Sequence, residues 1–574
     1  MLVENRTTTE RTSAAIGVNA LFSKYLRAND KAISSYVHRI PETLSEAANS
    51  ILFSSTLEQN TDLMPGSGTS TVSDYVLENR LKLARQSLEF HSQAGTLTNG
   101  VRDHIDLLKD RSAEIIVSIH QPNLFAYSGV FKKILLLQTI KTLLERPITN
   151  KKIINLFLII DHDFMGELWT RVAQLPSIRH SSGMLELRMP VKNSKRWQML
   201  HKMPPPGTST VDQWKKLLIL WIRNCSSMLS SSKTQKTRLL SNLEQIWEEV
   251  ESCRMNARSY SDFNSFLISR VVNKIWNYDT IFTRISNISP VFENGFKYLI
   301  SNFRAYSEAL RKAENVFINH GISTGVSASS YLNAPLWLHC PCGSKSPIKI
   351  ISDQADKVSL YGKCLGCKKD LRFNVGSLLR PKFTEDTLLS LSPRAIPILL
   401  LLSRELGVSC YASGTGGSLG YGIVGSIVFS ELSIPMPLTT LWPSRDMYVG
   451  IGQSEALDVL QLSNQGEVER YLKTLRERCD SYKKQIIPLI AKRAQRVRSG
   501  LSIDATLSEL FKLKESQRRL RRLVKIAEKA DNALNLNPCF LDYAINFGIT
   551  NTEQQWRENL MNNNSLVTPS VIRI

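Results

Sequence analysis

The sequence is short of acidic residues, of clustered cysteines and of long apolar runs, and each shortage narrows what the chain can be. Asp and Glu total 51 against 72 Lys and Arg, a formal charge of +21 over 574 residues. That balance favours an anionic partner, whether nucleic acid, phosphorylated cofactor or carboxylate-bearing substrate, without choosing among them. The opening MLVENRTTTERTSAA lacks the apolar core of a signal peptide. Apolar runs such as 398–402 are far too short to span a bilayer, so a soluble cytoplasmic protein with no membrane partner is expected. Nine cysteines in so long a chain are no disulfide framework: five are scattered and only four fall together. A P-loop is absent too, because the glycine-rich SGTGGSLGYG lacks the Lys-Ser/Thr ending.

What is present is ordinary globular material, 42% hydrophobic and 21% charged, in a chain long enough for two to four domains. Residues 1–110 read as a helical region broken by an exposed loop at 63–75. From Glu114 the character changes. EIIVSIH and IINLFLIIDHD are strand-like runs flanking the helix-length GVFKKILLLQTIKTLLE, the alternation of a parallel sheet, so the fold class expected is α/β. Residues 111–210 hold the first part of this core, and 211–335 a helical connecting region with the rest of it. A cysteine-bearing insert fills 336–376, and 377–464 return to the core with a glycine-rich loop. Across 465–574, apolar residues four and three apart, from Val468 to Leu489 and from Leu510 to Leu534, trace the seam of a coiled-coil hairpin and a tail. Pro488 is expected to kink or end the first of these helices, and Asp504 to cap the second.

Three constellations could carry chemistry. Cys340, Cys342, Cys364 and Cys367 form two close pairs, the spacing of a zinc ribbon. Four sulfur ligands would leave no open position for water, so the metal would brace and not catalyse, with His339 a neighbour. His120 and Gln121 end the first strand, and Asp161, His162 and Asp163 the second. A histidine flanked by carboxylates can be oriented and raised in pKa, which makes His162 the candidate general base, with Asp161 or Asp163 orienting it. Gln121 and the backbone at Asn123 are candidates for holding substrate, and Arg445 offers a fork to a carboxylate or phosphate. Gly414, Gly416 and Gly417, with Tyr421 beyond them, let backbone amides approach an anion.

Taken in order, QPNLFAYSG at 121–129, FLIIDHDF at 157–164 and YASGTGGSLGYG…SIPMPLTTLWPSR at 411–445 resemble the bacillithiol biosynthesis cysteine-adding enzymes (BshC). LFSKYLRAND near residue 21 resembles the opening of that family. The resemblance spans most of the chain. It implies a Rossmann-like core related to class I aminoacyl-tRNA synthetases, helical connecting segments and a coiled coil used for homodimerisation. It also implies a ligase that joins cysteine to an anionic amino-sugar conjugate, glucosaminyl malate. Forming an amide from a free carboxylate is uphill in water, so ATP or another nucleotide is the expected energy source. Two acids of the family pattern are replaced, by Ile160 and Gly417, and the zinc insert is not a general feature of the family. Two other readings therefore stand beside the ligase. One is an RNA-binding protein on a synthetase-like core that grips through the ribbon and RRLRRLVK at 518–525; the other is a catalytically inactive scaffold.

Overall fold

Short β-branched runs of this chain become the buried strands of one sheet. The computed structural model describes residues 27, 30–57, 73–145, 151–228, 233–321, 333–354, 357–414 and 417–572. Most of the loop expected at 63–75 lies outside these residues, as does most of the stretch resembling the family's opening. The five strands are β1 (Glu114–His120), β2 (Ile153–Ile159), β3 (Ile281–Arg284), β4 (Val408–Ser413) and β5 (Leu438–Leu441). They are all parallel, in the spatial order β5-β4-β1-β2-β3. Alternate residues feed apolar clusters on the two faces: Ile116, Ile153 and Phe157 on one, Ile115, Val117, Leu156 and Leu158 on the other. A parallel sheet needs both faces covered, and helices supply the cover.

The crossover from β1 to β2 is α1 (Ser128–Leu144), which is buried on nearly every side. That burial includes three lysines, each with a partner. Lys132 pairs with Asp446, Lys141 with Asp279, and Lys133 donates to the carbonyl of Ile119 at 2.8 Å.

A second, antiparallel sheet of five strands contains the cysteines. Its order is Leu391–Pro393, Asn333–His339, Lys345–Gln354, Lys357–Lys363 and Asp370–Gly376. Two of its connections bring the sulfurs together. Cys340 and Cys342 lie in the turn before Lys345, and Cys364 and Cys367 in the turn before Asp370. The first turn needs glycine, since Gly343 has φ +88° and an added Cβ would sit 2.9 Å from the Gln198 amide.

Near the C-terminus, α2 (Gln465–Arg498) and α3 (Asp504–Asn535) run antiparallel, tied by Gln465 to Asn535 at 2.8 Å and Arg476 to Glu528 at 3.0 Å. Val468, Leu472, Leu475 and Ile486 are buried on one helix, Leu510, Leu520 and Ala527 on the other. Pro488 does not end α2. It is exposed, as is Lys484, so water can serve the carbonyl that loses its donor. Asp504 is not the cap but the first helical residue, and it accepts from the Ser502 hydroxyl at 2.8 Å. Beyond the hairpin, helices Phe540–Phe547 and Ile549–Asn563 return to the main core, where Phe540 stacks on Phe131 with centroids 4.0 Å apart. No helix among the described residues is long and apolar enough to cross a membrane.

Candidate functional site

In chain order the parallel sheet reads 3-2-1-4-5, so its direction of winding reverses between β1 and β4. At that point the connections leave toward opposite faces and a crevice opens beyond the carboxyl ends of the strands. A pocket of about 610 Å³ occupies this position. His120, Gln121, His162, Asp163, Gly414, Gly417 and Tyr421 all line it. Gly416 lies outside the described residues. Three expected residues are elsewhere, and the chain shows why.

Asp161 is fully buried behind the pocket, where it accepts from the backbone and hydroxyl of Ser286 at 3.1 and 2.5 Å; it does not orient His162. Asn123 is buried, and its backbone N–H is already donated to the carbonyl of Gln121 at 2.9 Å. Arg445 points into the base of the hairpin and donates to Gln465 and to the carbonyl of Leu534, so it fastens α2 to α3 and offers no fork to a ligand.

The histidines behave differently from a carboxylate-flanked base. His162 is buried, with Nδ1 lacking a hydrogen-bond partner, and its pKa is held well below 6.5, not raised. Burial is the main cause, and the charge of Lys345 adds to it. His162 is therefore a neutral imidazole with acceptor capacity. His120 contacts the carbonyl of Gln121 through Nδ1 and the hydroxyl of Tyr127 through Nε2, both at 2.9 Å. A carbonyl can only accept, so Nδ1 carries the proton and Nε2 accepts from the tyrosine. Burial, helped by Lys133, lowers this histidine to about 3.

Asp163 links the two strand ends to the second sheet. One oxygen accepts from Gln121 Nε2 at 3.0 Å, and the other lies 3.6 Å from Lys345 Nζ. Lys345 in turn sits over the rings of Trp337 and Phe164 at 4.5 and 4.8 Å. Its strand begins three residues after Cys342, so the cysteine turn anchors a cation that positions a pocket carboxylate. Trp337, Pro335 and Ala334 of the same sheet line the pocket directly.

Two pocket cations escaped the sequence reading. Lys133, in the second turn of α1, lines the pocket and is lowered to about 7 by burial. Its signal was a polar pair inside the otherwise apolar run VFKKILLL, where a buried amine has to earn its place. Arg394 also lines the pocket, immediately before helix Ala395–Leu406 and over Trp337 at 5.1 Å. Gly129, in the first turn of α1, lets the helix approach closely, because a Cβ there would meet Ser444 Cβ at 2.4 Å. Gly417 is similarly constrained: a Cβ would lie 2.5 Å from the Ser413 hydroxyl. With Ile160 also lining the wall, neither position can present an acid to the pocket.

The four cysteine sulfurs lie within 4.8 Å of one another, the only such metal-holding cluster among the described residues. The contacts Cys340–Cys367 and Cys342–Cys364 measure 3.6 and 3.5 Å. Zinc–sulfur bonds of about 2.3 Å in a tetrahedron put the sulfurs roughly 3.8 Å apart, so the donor set and spacing are compatible with structural zinc. His339 is not part of this cluster and instead contacts the Ser392 hydroxyl at 2.8 Å.

No family model matches this chain, and no curated protein matches it in sequence. The molecule is a mixed α/β protein with a five-stranded parallel sheet, a pocket of mixed polar and apolar lining at the reversal of that sheet, and a four-cysteine cluster able to hold a metal ion.

Proposed function

We propose that the protein is a cysteine-adding ligase on a Rossmann-like core, joining the carboxyl of cysteine to the amine of a small anionic acceptor such as glucosaminyl malate. The observation that carries this reading is that segments of three separate motifs, HQPNLF, DHDF and the glycine-rich stretch, line one pocket. The 3-2-1-4-5 strand order, shared with doubly wound nucleotide-binding folds, supports the core assignment and a coupled nucleotide. Lys133 and Arg394, both lining the pocket, suit an anionic acceptor. In the reaction the acceptor nitrogen attacks an activated cysteine carboxyl, a C–N bond forms and the activating group leaves with its oxygen. Neutral His162 takes the proton from nitrogen, while Gln121 and Asp163 orient the amine. Zinc on the four cysteines braces the wall carrying Trp337 and Lys345 and takes no part in the chemistry.

Incubating zinc-loaded protein with cysteine, glucosaminyl malate and ATP should yield a condensation product whose mass is the sum of cysteine and the acceptor less one water, detected by mass spectrometry. His162→Ala should slow its formation by about 10²- to 10⁴-fold. Absence of product with every common nucleotide, together with unimpaired binding of the acceptor, would favour the inactive scaffold.

The same reading includes a homodimer through the hairpin, read as a coiled coil. Ile487 and Ile490 on α2 are exposed and offer apolar area for it. Sedimentation at micromolar concentration should give about twice the chain mass of 64.8 kDa. A species of one chain mass would remove the dimer from the reading.

A further inference from the structure

The charge of the chain is concentrated at one place that the pocket chemistry does not use. Residues 483–525, the distal half of the hairpin, carry thirteen Lys and Arg against three Asp and Glu, so this stretch supplies +10 of the total +21. Twelve of the thirteen cations are exposed, and the other, Arg496, is half-buried. Among the described residues only Arg519 is in an ion pair, with Glu515. Solvated charge runs usually balance both signs along a helix; here cations outnumber acids by more than four to one.

The cations have an order on α3. Lys514, Arg518, Arg521 and Lys525 follow one another four, three and four residues apart, which places them in a row on one helix face, about 16 Å long at 1.5 Å per residue. Arg522 flanks the row, and Phe511 extends it toward the tip as an exposed aromatic. The neighbouring face, with Leu510, Gln517 and Leu520, is consumed by packing on α2. That leaves the basic row facing solvent, with Leu507 and Phe511 exposed on its tip side but no apolar residue interleaved on that face between Lys514 and Lys525, where insertion into a lipid surface would require an apolar stripe. A second copy of the chain is a poor occupant, because it would set two like-charged rows against each other. A nucleic-acid duplex fits, since its phosphates present a regular line of negative charge and release counterions when Lys and Arg replace them.

We propose that the solvent-facing row of α3 is a binding surface for a nucleic-acid duplex, read through its phosphate backbone without base specificity. The interaction is independent of the pocket reaction and compatible with a monomer or with a dimer formed elsewhere on the hairpin.

The test is fluorescence anisotropy of the full chain with labelled 20-base-pair RNA and DNA duplexes over a range of salt. The expected result is binding at micromolar protein in low salt, weakening steeply as salt rises. Changing Lys514, Arg518, Arg521 and Lys525 together to Gln should weaken it at least about tenfold and flatten the slope of log K against log salt by roughly three to four, about 0.9 for each phosphate no longer neutralised. A control with Lys216, Arg223, Lys236 and Arg238 changed to Gln removes the same number of exposed charges elsewhere and should bind much more tightly than the row variant. Both variants should melt with the parent, because only exposed side chains change. The proposal is overturned if the parent does not bind either duplex, if the row variant and the control bind alike, or if vesicles containing phosphatidylserine bind while the duplexes do not.

Discussion

Replacing Cys364 and Cys367 together by serine is expected to strip the protein of metal and to unfold the second sheet locally. The parent should carry about one zinc per chain and the variant almost none. Serine hydroxyls do not form thiolates at neutral pH, and two remaining sulfurs cannot complete a tetrahedron. The scale of the effect follows from the size of such sites. Structural zinc in small domains is worth roughly 10–16 kcal/mol of apparent binding energy at neutral pH, comparable with the whole stability of an ordinary domain at about 5–15 kcal/mol. At the cluster end the strands from Lys345 to Gly376 are entered and linked through the two cysteine turns. Hydrogen exchange should therefore accelerate across 345–376 in the variant, and across 161–163 too, because Lys345 would release Asp163. Chelation of the parent should reproduce the change and added zinc reverse it. Parent protein that purifies without metal, all four thiols titrating freely, would refute the metal site. Unaltered exchange in the variant would refute its structural role.

Lowering the pH from 7 to 5 should destabilise the protein. Five histidines are held below their ordinary value: His91 and His120 at about 3, and His162, His201 and His339 by direction, burial being the largest cause in each. His91 and His120 stay neutral in the folded chain down to about 3, and the other three hold a proton less readily than in the unfolded chain, where each takes one as pH falls through about 6.5. Below that value the unfolded state binds more protons, so stability is lost as pH drops and keeps falling until the folded groups themselves titrate, near 3 for His91 and His120. Each fully buried group contributes up to about 1.4 kcal/mol per pH unit. Two buried acids oppose the trend. Burial raises Glu405 to about 8 and Asp542 to about 7, so both are protonated when folded but ionised when unfolded between pH 4.5 and 7, and stability from them grows as pH falls. The downward-shifted histidines outnumber the two acids, so the net effect is a loss of stability as the pH falls. Denaturant midpoints measured at pH 7, 6 and 5 should fall in sequence, and His91→Asn should make the fall shallower. A midpoint independent of pH over this range would contradict the neutral, buried state of these histidines.

The legible parts of the molecule were those with a local cause. EIIVSIH and IINLFLI are too apolar and too short to be anything but buried strands, and Glu114–His120 and Ile153–Ile159 are the two central neighbours of the sheet. The cysteine spacing announced its cluster because ligands on tight turns are set by a few residues of chain. The third strand, Ile281–Arg284, carried no comparable signal. It has four residues between helices and is a strand because β2 offers it hydrogen bonds. The same limit explains the errors at the site. Asp161 and Asp163 look equivalent beside His162, but the strand ends at Ile159 and the chain turns through 161–163, so one carboxylate meets Ser286 and the other Gln121. Arg445 follows an extended segment near the pocket in sequence, yet its nearest acceptors come from helices that begin or end far along the chain.

By itself, then, the sequence determined the fold class, the excess of positive charge, the cysteine cluster and the strand ends from which a site could be built, all of which follow from residue type and short-range spacing. Only the tertiary structure decided which of those groups share a pocket, that its histidines are neutral, and that Lys133 and Arg394 belong to it. The reason is physical: burial and the distance between charges set protonation and contact, and both depend on segments hundreds of residues apart meeting in the folded chain.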